Sequence, residues 1–326
     1  MVGVNGKTIL TRYKVAAVQE PPIFLERGAS VEKACRLIDE AASRGASLVV
    51  FPETWLPGYP IWSMFDAVFD NPRAKKAYSR LFKNAVDVPG PAIERLGEAC
   101  RKAGVFLAMG VHERTHSGTM YNCIVFIGKD GQLLGKHRKL VPTYHERMIW
   151  AHGDGSTLNV FDTEIGRLGG LVCYEHLMPL ARYALYTQGV QVHAAVWPSE
   201  VKPNLIVCRN MAAEGRTFVI VACTYYPKSV LPDDIEFGER MDSLPDPITK
   251  GGSAIIGPDG DYIVEPIYSR ETIYAEIDLE RIVEEKQVLD VVGHYARPEV
   301  FTLRVNRSEL VPTEFYENKP AEPGSD

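Results

Sequence analysis

Short apolar runs alternate along this chain with stretches of helical periodicity, and that order limits the folds open to it. Residues 13–19 (YKVAAVQ) and 47–53 (SLVVFPE) read as buried strands. Between them Val31, Ala34, Cys35, Ile38, Ala41 and Ala42 recur at helical spacing, with Ser30 expected as the N-cap and Gly45 as the stop. Helices are expected over 71–85 and from Pro91 to Gly104. Strands follow at 105–113 and 119–128, and Lys129-Asp130-Gly131 turns the chain into a strand ending near Lys139. The pattern then recurs. Strands at 158–162 and 167–174 precede a helix over 179–189, a strand at 190–197, a helix at 204–214 and a strand at 217–224. A hairpin (253–256, 262–265), a late strand (272–279) and a short helix complete it. The order implies an α/β fold with a mixed sheet covered by helices, and the similar halves suit two sheets packed face to face. Residues 1–310 read as a single domain, and 311–326, polar and Pro-containing, as a disordered tail.

Composition excludes several classes. The chain has 326 residues and a formal net charge of −6, which argues against an electrostatic nucleic-acid binder and against an anionic membrane surface as partner. Neither a leader-like apolar segment nor a run of about 18 apolar residues is present. Six cysteines are scattered with no CxxC pair, which suits a cytoplasmic protein with reduced thiols.

Two motif matches are discounted. His112-Glu-Arg-Thr-His116 has the HExxH zinc spacing, but follows the apolar strand VFLAMGV and runs into Ser117-Gly118. Off a helix the two imidazoles need not converge, so a polar hairpin tip is the better reading. In GQLLGKH, from Gly131, His137 stands where a phosphate loop requires Ser or Thr.

Cys173 ends the apolar run LGGLVC just before a helix, where backbone N–H groups favour a thiolate and a developing negative charge. The alternative is a small buried hydrophobe. Glu53 closes one strand and Lys139 lies at the end of another; each also suits a bland role, Lys139 within a basic surface cluster with Lys136 and Arg138. Three complementary groups at strand C-termini are less easily dismissed, because open α/β sheets place their sites there. Glu146 offers a second carboxylate, or a surface ion pair with Arg147.

At these residues the chain resembles the nitrilase family of the carbon–nitrogen hydrolase superfamily. Three blocks carry the likeness in order: FPETWLPGYP with Glu53, HRKLVPTYHERMIW with Lys139 and Glu146, and GGLVCYEHLMPLARY with Cys173. VHAAVWPS and GHYARPEV are also similar to family segments. Tyr174 departs from the Trp found in many members. The resemblance implies a four-layer α-β-β-α sandwich, assembled as a homodimer or larger stack. It implies a Glu53–Lys139–Cys173 triad assisted by Glu146, with no metal or organic cofactor, that hydrolyses nitriles to acid and ammonia. EHLMPLARY is similar to members that prefer arylacetonitriles. An amidase, a carbamoylase or a cyanide-hydrating enzyme of the same superfamily is the alternative. Thr54, Trp55, Tyr59, Tyr174 and Trp197 are the candidate substrate-binding residues, although the aromatics equally suit a core or subunit contact.

Overall fold

The computed structural model describes residues 10–65, 70–200, 202–311 and 313. Most of the expected tail therefore lies outside the described residues.

Two six-stranded sheets carry the fold. The first is built from β1 (Arg12–Val18), β2 (Ala46–Leu56), β3 (Phe106–Arg114), β4 (Met120–Ile127) and β5 (Leu133–Arg138). The second contains β6 (Phe161–Thr163), β7 (Gly166–Val172), β8 (Val192–Val196) and β9 (Phe218–Ala222). A two-stranded ribbon, β10 (Tyr225–Tyr226) with β11 (Thr249–Lys250), was not foreseen. Strands β12 (Ser253–Ile256) and β13 (Tyr262–Ile267) extend the second sheet, and β14 (Thr272–Asp278) returns to the first. The orders are β14-β1-β2-β3-β4-β5 and β13-β12-β9-β8-β7-β6. Each sheet has three parallel central strands, β1-β2-β3 or β7-β8-β9, flanked by antiparallel edges. The two halves of the sequence thus build the same unit twice.

Strand alternation assigns the layers. In β1, Val15 and Ala17 join the cluster that also holds Leu171, Ala194 and Ile220 of the second sheet. Their neighbours Ala16 and Val18 pack instead with residues of α1 (Arg27–Ser43) and α3 (Pro91–Ala103), among them Ile38 and Leu96. On the far side, Leu185 of α4 (Pro179–Thr187) and Met211 of α5 (Lys202–Gly215) cover the second sheet. The result is the four-layer α-β-β-α sandwich. A third apolar cluster joins Phe24, Tyr59, Trp62 and Trp150 to α2 (Pro72–Asn84).

Local expectations held in most places. Asn71 caps α2 through its side chain, Pro91 opens α3, and Gly104 ends it with φ 71°. Ser30 does not cap α1. The helix starts at Arg27, and the Ser30 hydroxyl turns back to the preceding loop, accepting from Ile23 N (3.1 Å) and donating to Ile23 O (2.8 Å). His112 is not at a polar hairpin tip either. It is buried in β3, where Trp150 Nε1 donates to its Nδ1 (3.1 Å) and its Nε2 meets Gly58 O (3.0 Å). His116 lies exposed beyond the strand, so the two imidazoles do not share a metal position.

Candidate active site

The site forms where strands of both sheets end. Glu53 does not close its strand as expected but lies within β2, at a local irregularity: the pairing with β3 is regular to Phe51 and resumes at Leu56. Thr54 has φ 44° there, in the left-handed region. The distortion needs Gly110 opposite, since a Cβ on it would lie 2.2 Å from Pro52 O and 2.5 Å from Thr54 N. Lys139 follows directly on β5. Glu146 lies in the 3-10 turn Tyr144–Met148, where its carboxylate caps Thr143 N (2.7 Å). Cys173 follows β7 and opens the 3-10 turn Cys173–Leu177, with φ 54°.

The four side chains are all buried. Lys139 Nζ donates to Glu53 Oε1 (3.0 Å) and Glu146 Oε2 (2.6 Å). One carboxylate oxygen from each glutamate and Cys173 Sγ lie within 4.8 Å of one another. These atoms have the chemistry of metal ligands, but the Lys139 ammonium already stands between the carboxylates as their cation. Lys139 is therefore not part of a basic surface cluster. Lys136 and Arg138 turn away and both pair with Glu113 (2.5 and 2.7 Å). Nor does Glu146 pair with Arg147, whose Nε donates to Pro142 O.

Further residues complete the cluster. Asn122 of β4 donates from Nδ2 to Glu53 Oε1 (2.6 Å), while its backbone O accepts from Lys139 N (2.8 Å). Tyr59 OH donates to Glu146 Oε1 (2.9 Å). Glu175 accepts from Val172 N (2.8 Å) and Leu140 N (2.6 Å) and pairs with His137 Nε2 (3.1 Å). Asn122, His137 and Glu175 were missed in the sequence. A usable signal existed for Asn122, an amide inside the otherwise apolar strand MYNCIVFI.

The electrostatics separate the groups. Burial pushes Glu53 up to about 7; Lys139 opposes this and Glu146 adds to it. Burial would discharge Lys139, but Glu53, Cys173 and Glu146 outweigh it and hold the ammonium above the usual lysine range. Burial drives the Cys173 thiol well above its ordinary value, with Glu53 and Glu146 reinforcing and Lys139 opposing. Lys139 thus favours the thiolate, but the net balance keeps the resting group a thiol. It can ionise only as its proton is taken. Glu53 Oε2, buried and without a hydrogen-bond partner among the described residues, is available to take it.

The other expected residues divide. Tyr59 touches the cluster through Glu146. Trp55 is buried in the core beside Phe51 (ring centroids 4.8 Å) and donates from Nε1 to Glu20 O (2.6 Å). Trp197 is buried, stacked on His176 (5.2 Å), and its backbone O faces Glu53 N (3.4 Å). Tyr174 is partly exposed, 6.0 Å from the Trp197 ring. Thr54 is buried, with Oγ1 unpartnered among the described residues.

A four-layer sandwich with a buried thiol beside a carboxylate–ammonium–carboxylate cluster defines a narrow class of protein. Residues 14–287 match the carbon–nitrogen hydrolase family. The chain is 40% identical over 327 residues to a bifunctional nitrilase/nitrile hydratase NIT4B of Nicotiana tabacum, covering 96% of this chain and 91% of that one. It is 39% identical over 301 residues to an aliphatic nitrilase of Sinorhizobium fredii (strain HH103), covering 91% and 96%. Among solved structures, C. elegans NitFhit superposes with a TM-score of 0.70 at 19% identity, covering 94% of this chain and 70% of that one. Saccharomyces cerevisiae Nit3 superposes with 0.69 at 21% identity, covering 89% and 98%. This chain belongs to the carbon–nitrogen hydrolase family.

Proposed function

We propose that the protein is a nitrilase that converts organic nitriles, arylacetonitriles among them, to carboxylic acid and ammonia, with Cys173 as nucleophile. The observation that carries this reading is the buried meeting of Cys173, Glu53, Lys139 and Glu146. The names of the relatives supply the nitrile.

In this reading Glu53 takes the Cys173 proton as sulfur attacks the nitrile carbon, and the proton passes to nitrogen, giving a neutral thioimidate. A water then adds to carbon, giving up one proton to Glu53 and on to nitrogen. The tetrahedral species collapses with transfer of its hydroxyl proton to nitrogen, so that ammonia leaves and a thioester remains. A second water cleaves the thioester, and the sulfur recovers its proton from Glu53. The sum is one nitrile and two waters to one acid and one ammonia. Lys139 stabilises the negative charge that develops on nitrogen and oxygen, in a site where water screens little. Glu146, held by Thr143 N and Tyr59 OH, fixes Lys139 and helps position water. No step calls for a metal or organic cofactor.

Thr54, Tyr59, Tyr174 and Trp197 are proposed to shape the substrate space, supported by the bond of Tyr59 to Glu146 and of Trp197 O to Glu53 N; the burial of Trp55 in the core favours a supporting place. Self-association as a homodimer or larger stack belongs to the same reading, supported by exposed Leu177, Leu180 and Ile206 on the outer helical side. So does a cytoplasmic location, supported by six free cysteines. Among the described residues no helix is long and apolar enough to cross a membrane.

Ammonia release from phenylacetonitrile and, separately, from phenylacetamide tests the reading. Ammonia from the nitrile and little from the amide supports a nitrilase. Ammonia mainly from the amide moves the protein to an amidase. The name of the Nicotiana relative favours one further product: if the tetrahedral species expels sulfur instead of ammonia, the amide accumulates, and the acid-to-amide ratio measures that branch.

A further inference from the structure

Two buried histidines, His176 within the Cys173 turn and His193 on β8, take no part in the chemistry above. His176 Nδ1 lies 2.7 Å from Cys173 O, and its Nε2 lies 3.0 Å from His193 Nε2 on β8. A carbonyl oxygen can only accept, so His176 carries its proton on Nδ1 and donates it to Cys173. Neutral His176 then presents a bare Nε2, so the proton between the two rings belongs to His193 Nε2. Burial supports two neutral rings, pushing His176 down to about 4 and His193 well below its ordinary value. The rings meet edge to face at 89°, and His176 is stacked on Trp197. From the helical layer Arg182 Nη1 donates to His176 O (2.7 Å), and Arg182 is itself paired with Glu214 (3.2 Å).

The Cys173 backbone needs such support. Its φ of 54° lies in the left-handed region, costly for a residue with a Cβ and retained only where the surroundings over-determine it. The His193→His176→Cys173 carbonyl chain anchors the peptide that follows the Cys173 side chain. The side chain of Glu175 anchors the chain on the other side of the thiol, one peptide further back, through Val172 N. We infer that His176 and His193 are positioning residues, one directional pair of hydrogen bonds that fixes the Cys173 carbonyl and so aims the thiol at the Glu53–Lys139 cluster. The inference rests on the nucleophilic role proposed for Cys173.

The test compares His176→Asn with His176→Leu. An Asn amide nitrogen superposes on the donating Nδ1, whereas Leu keeps the bulk and loses the donor. With folding checked by thermal melting, His176→Leu is expected to lower kcat for phenylacetonitrile by about ten- to a hundredfold with KM little changed. His176→Asn is expected to stay within about threefold of wild type, because restoring one donor restores the carbonyl. Alkylation of Cys173 by iodoacetamide, followed on its own peptide by mass spectrometry, should change in the same order. That readout is independent of substrate, so it separates this inference from the nitrilase reading, which fails on its own if Cys173→Ala retains turnover. Equal behaviour of the Asn and Leu variants in both assays would overturn the inference. If His176→Leu does not fold, nitrogen-15 NMR of the wild type decides: His176 protonated on Nδ1 and His193 on Nε2 is expected, and a bare or doubly protonated His176 refutes it.

Discussion

The carboxylate of Glu175 accepts the backbone N–H of Leu140 at 2.6 Å, joining the residue two beyond Cys173 to the residue just beyond Lys139. The same carboxylate holds Val172 N, immediately before the thiol. One buried side chain thus ties together the ends of β7 and β5, which belong to different sheets. The distance from sulfur to ammonium is set by this tie as well as by sheet packing.

Glu175→Gln is expected to be strongly destabilising. Glu175 forms a buried ion pair with His137 (3.1 Å), and removing one partner leaves the other uncompensated at a cost of about 3–5 kcal/mol. Burial works against both charges, but the pairing overrides it, lowering Glu175 and raising His137. The lowered acid stabilises above its ordinary 4.5, with loss as pH falls through its folded value. The raised base stabilises below its ordinary 6.5, with loss as pH rises through its folded value. Urea unfolding at several pH values should therefore show the largest penalty between these limits. A variant as stable as wild type there would remove the pair from the account.

The pH dependence of turnover should report Glu53. A base must be ionised to take the thiol proton, and burial holds Glu53 near 7. kcat/KM is expected to fall about tenfold per pH unit below that value. A rate unchanged from pH 8 to pH 5 would deny Glu53 the role of base.

Asn122→Ala should move that acid limb upward. The Asn122 amide favours the charged form of Glu53 by donating to Oε1 (2.6 Å). Without it Glu53 holds its proton to higher pH, so activity near neutrality should fall about tenfold and recover in part in alkaline buffer. A uniform loss at every pH would mean that Asn122 acts only through the fold.

Lys139→Met removes the cation between two buried carboxylates. At pH 8 the variant should be less stable than wild type by about 3–5 kcal/mol. Burial already raises Glu53 and Lys139 opposes this, so with the ammonium gone Glu53 is held protonated to higher pH and part of this loss should be regained toward pH 5. Denaturant midpoints at the two pH values measure it, and equal losses would contradict the paired cluster.

Much of this could be read from the residues alone. Apolar runs leading to Glu53 and Cys173, with the strand before Lys139, drew attention to all three groups, although β2 continues past Glu53 to Leu56 and only Lys139 and Cys173 directly follow their strands. The recurrence of strand and helix in both halves matched the repeated parallel cores. What failed depended on partners seven or more residues away. Ser30 looked like a cap because its spacing suited one, yet its hydroxyl bonds to Ile23. Glu146 beside Arg147 suggested a local ion pair, yet its partner is Lys139, and Lys136 and Arg138 are claimed by Glu113. Short-range spacing carries no sign of such pairings. Glu175 and His176 each bond locally within the Cys173 turn, but their other partners, Leu140 and His137 for Glu175 and His193 for His176, lie far off in the chain and gave no sign in the sequence.

Trapping the covalent intermediate tests the central claim most directly. Wild type and Cys173→Ala would be mixed with phenylacetonitrile, quenched in acid during turnover and digested for mass spectrometry. The account predicts a wild-type peptide containing Cys173 that carries the mass of the nitrile or of its acyl group, and no ammonia from Cys173→Ala. Continued ammonia release by Cys173→Ala, or an adduct on a different residue, would contradict it.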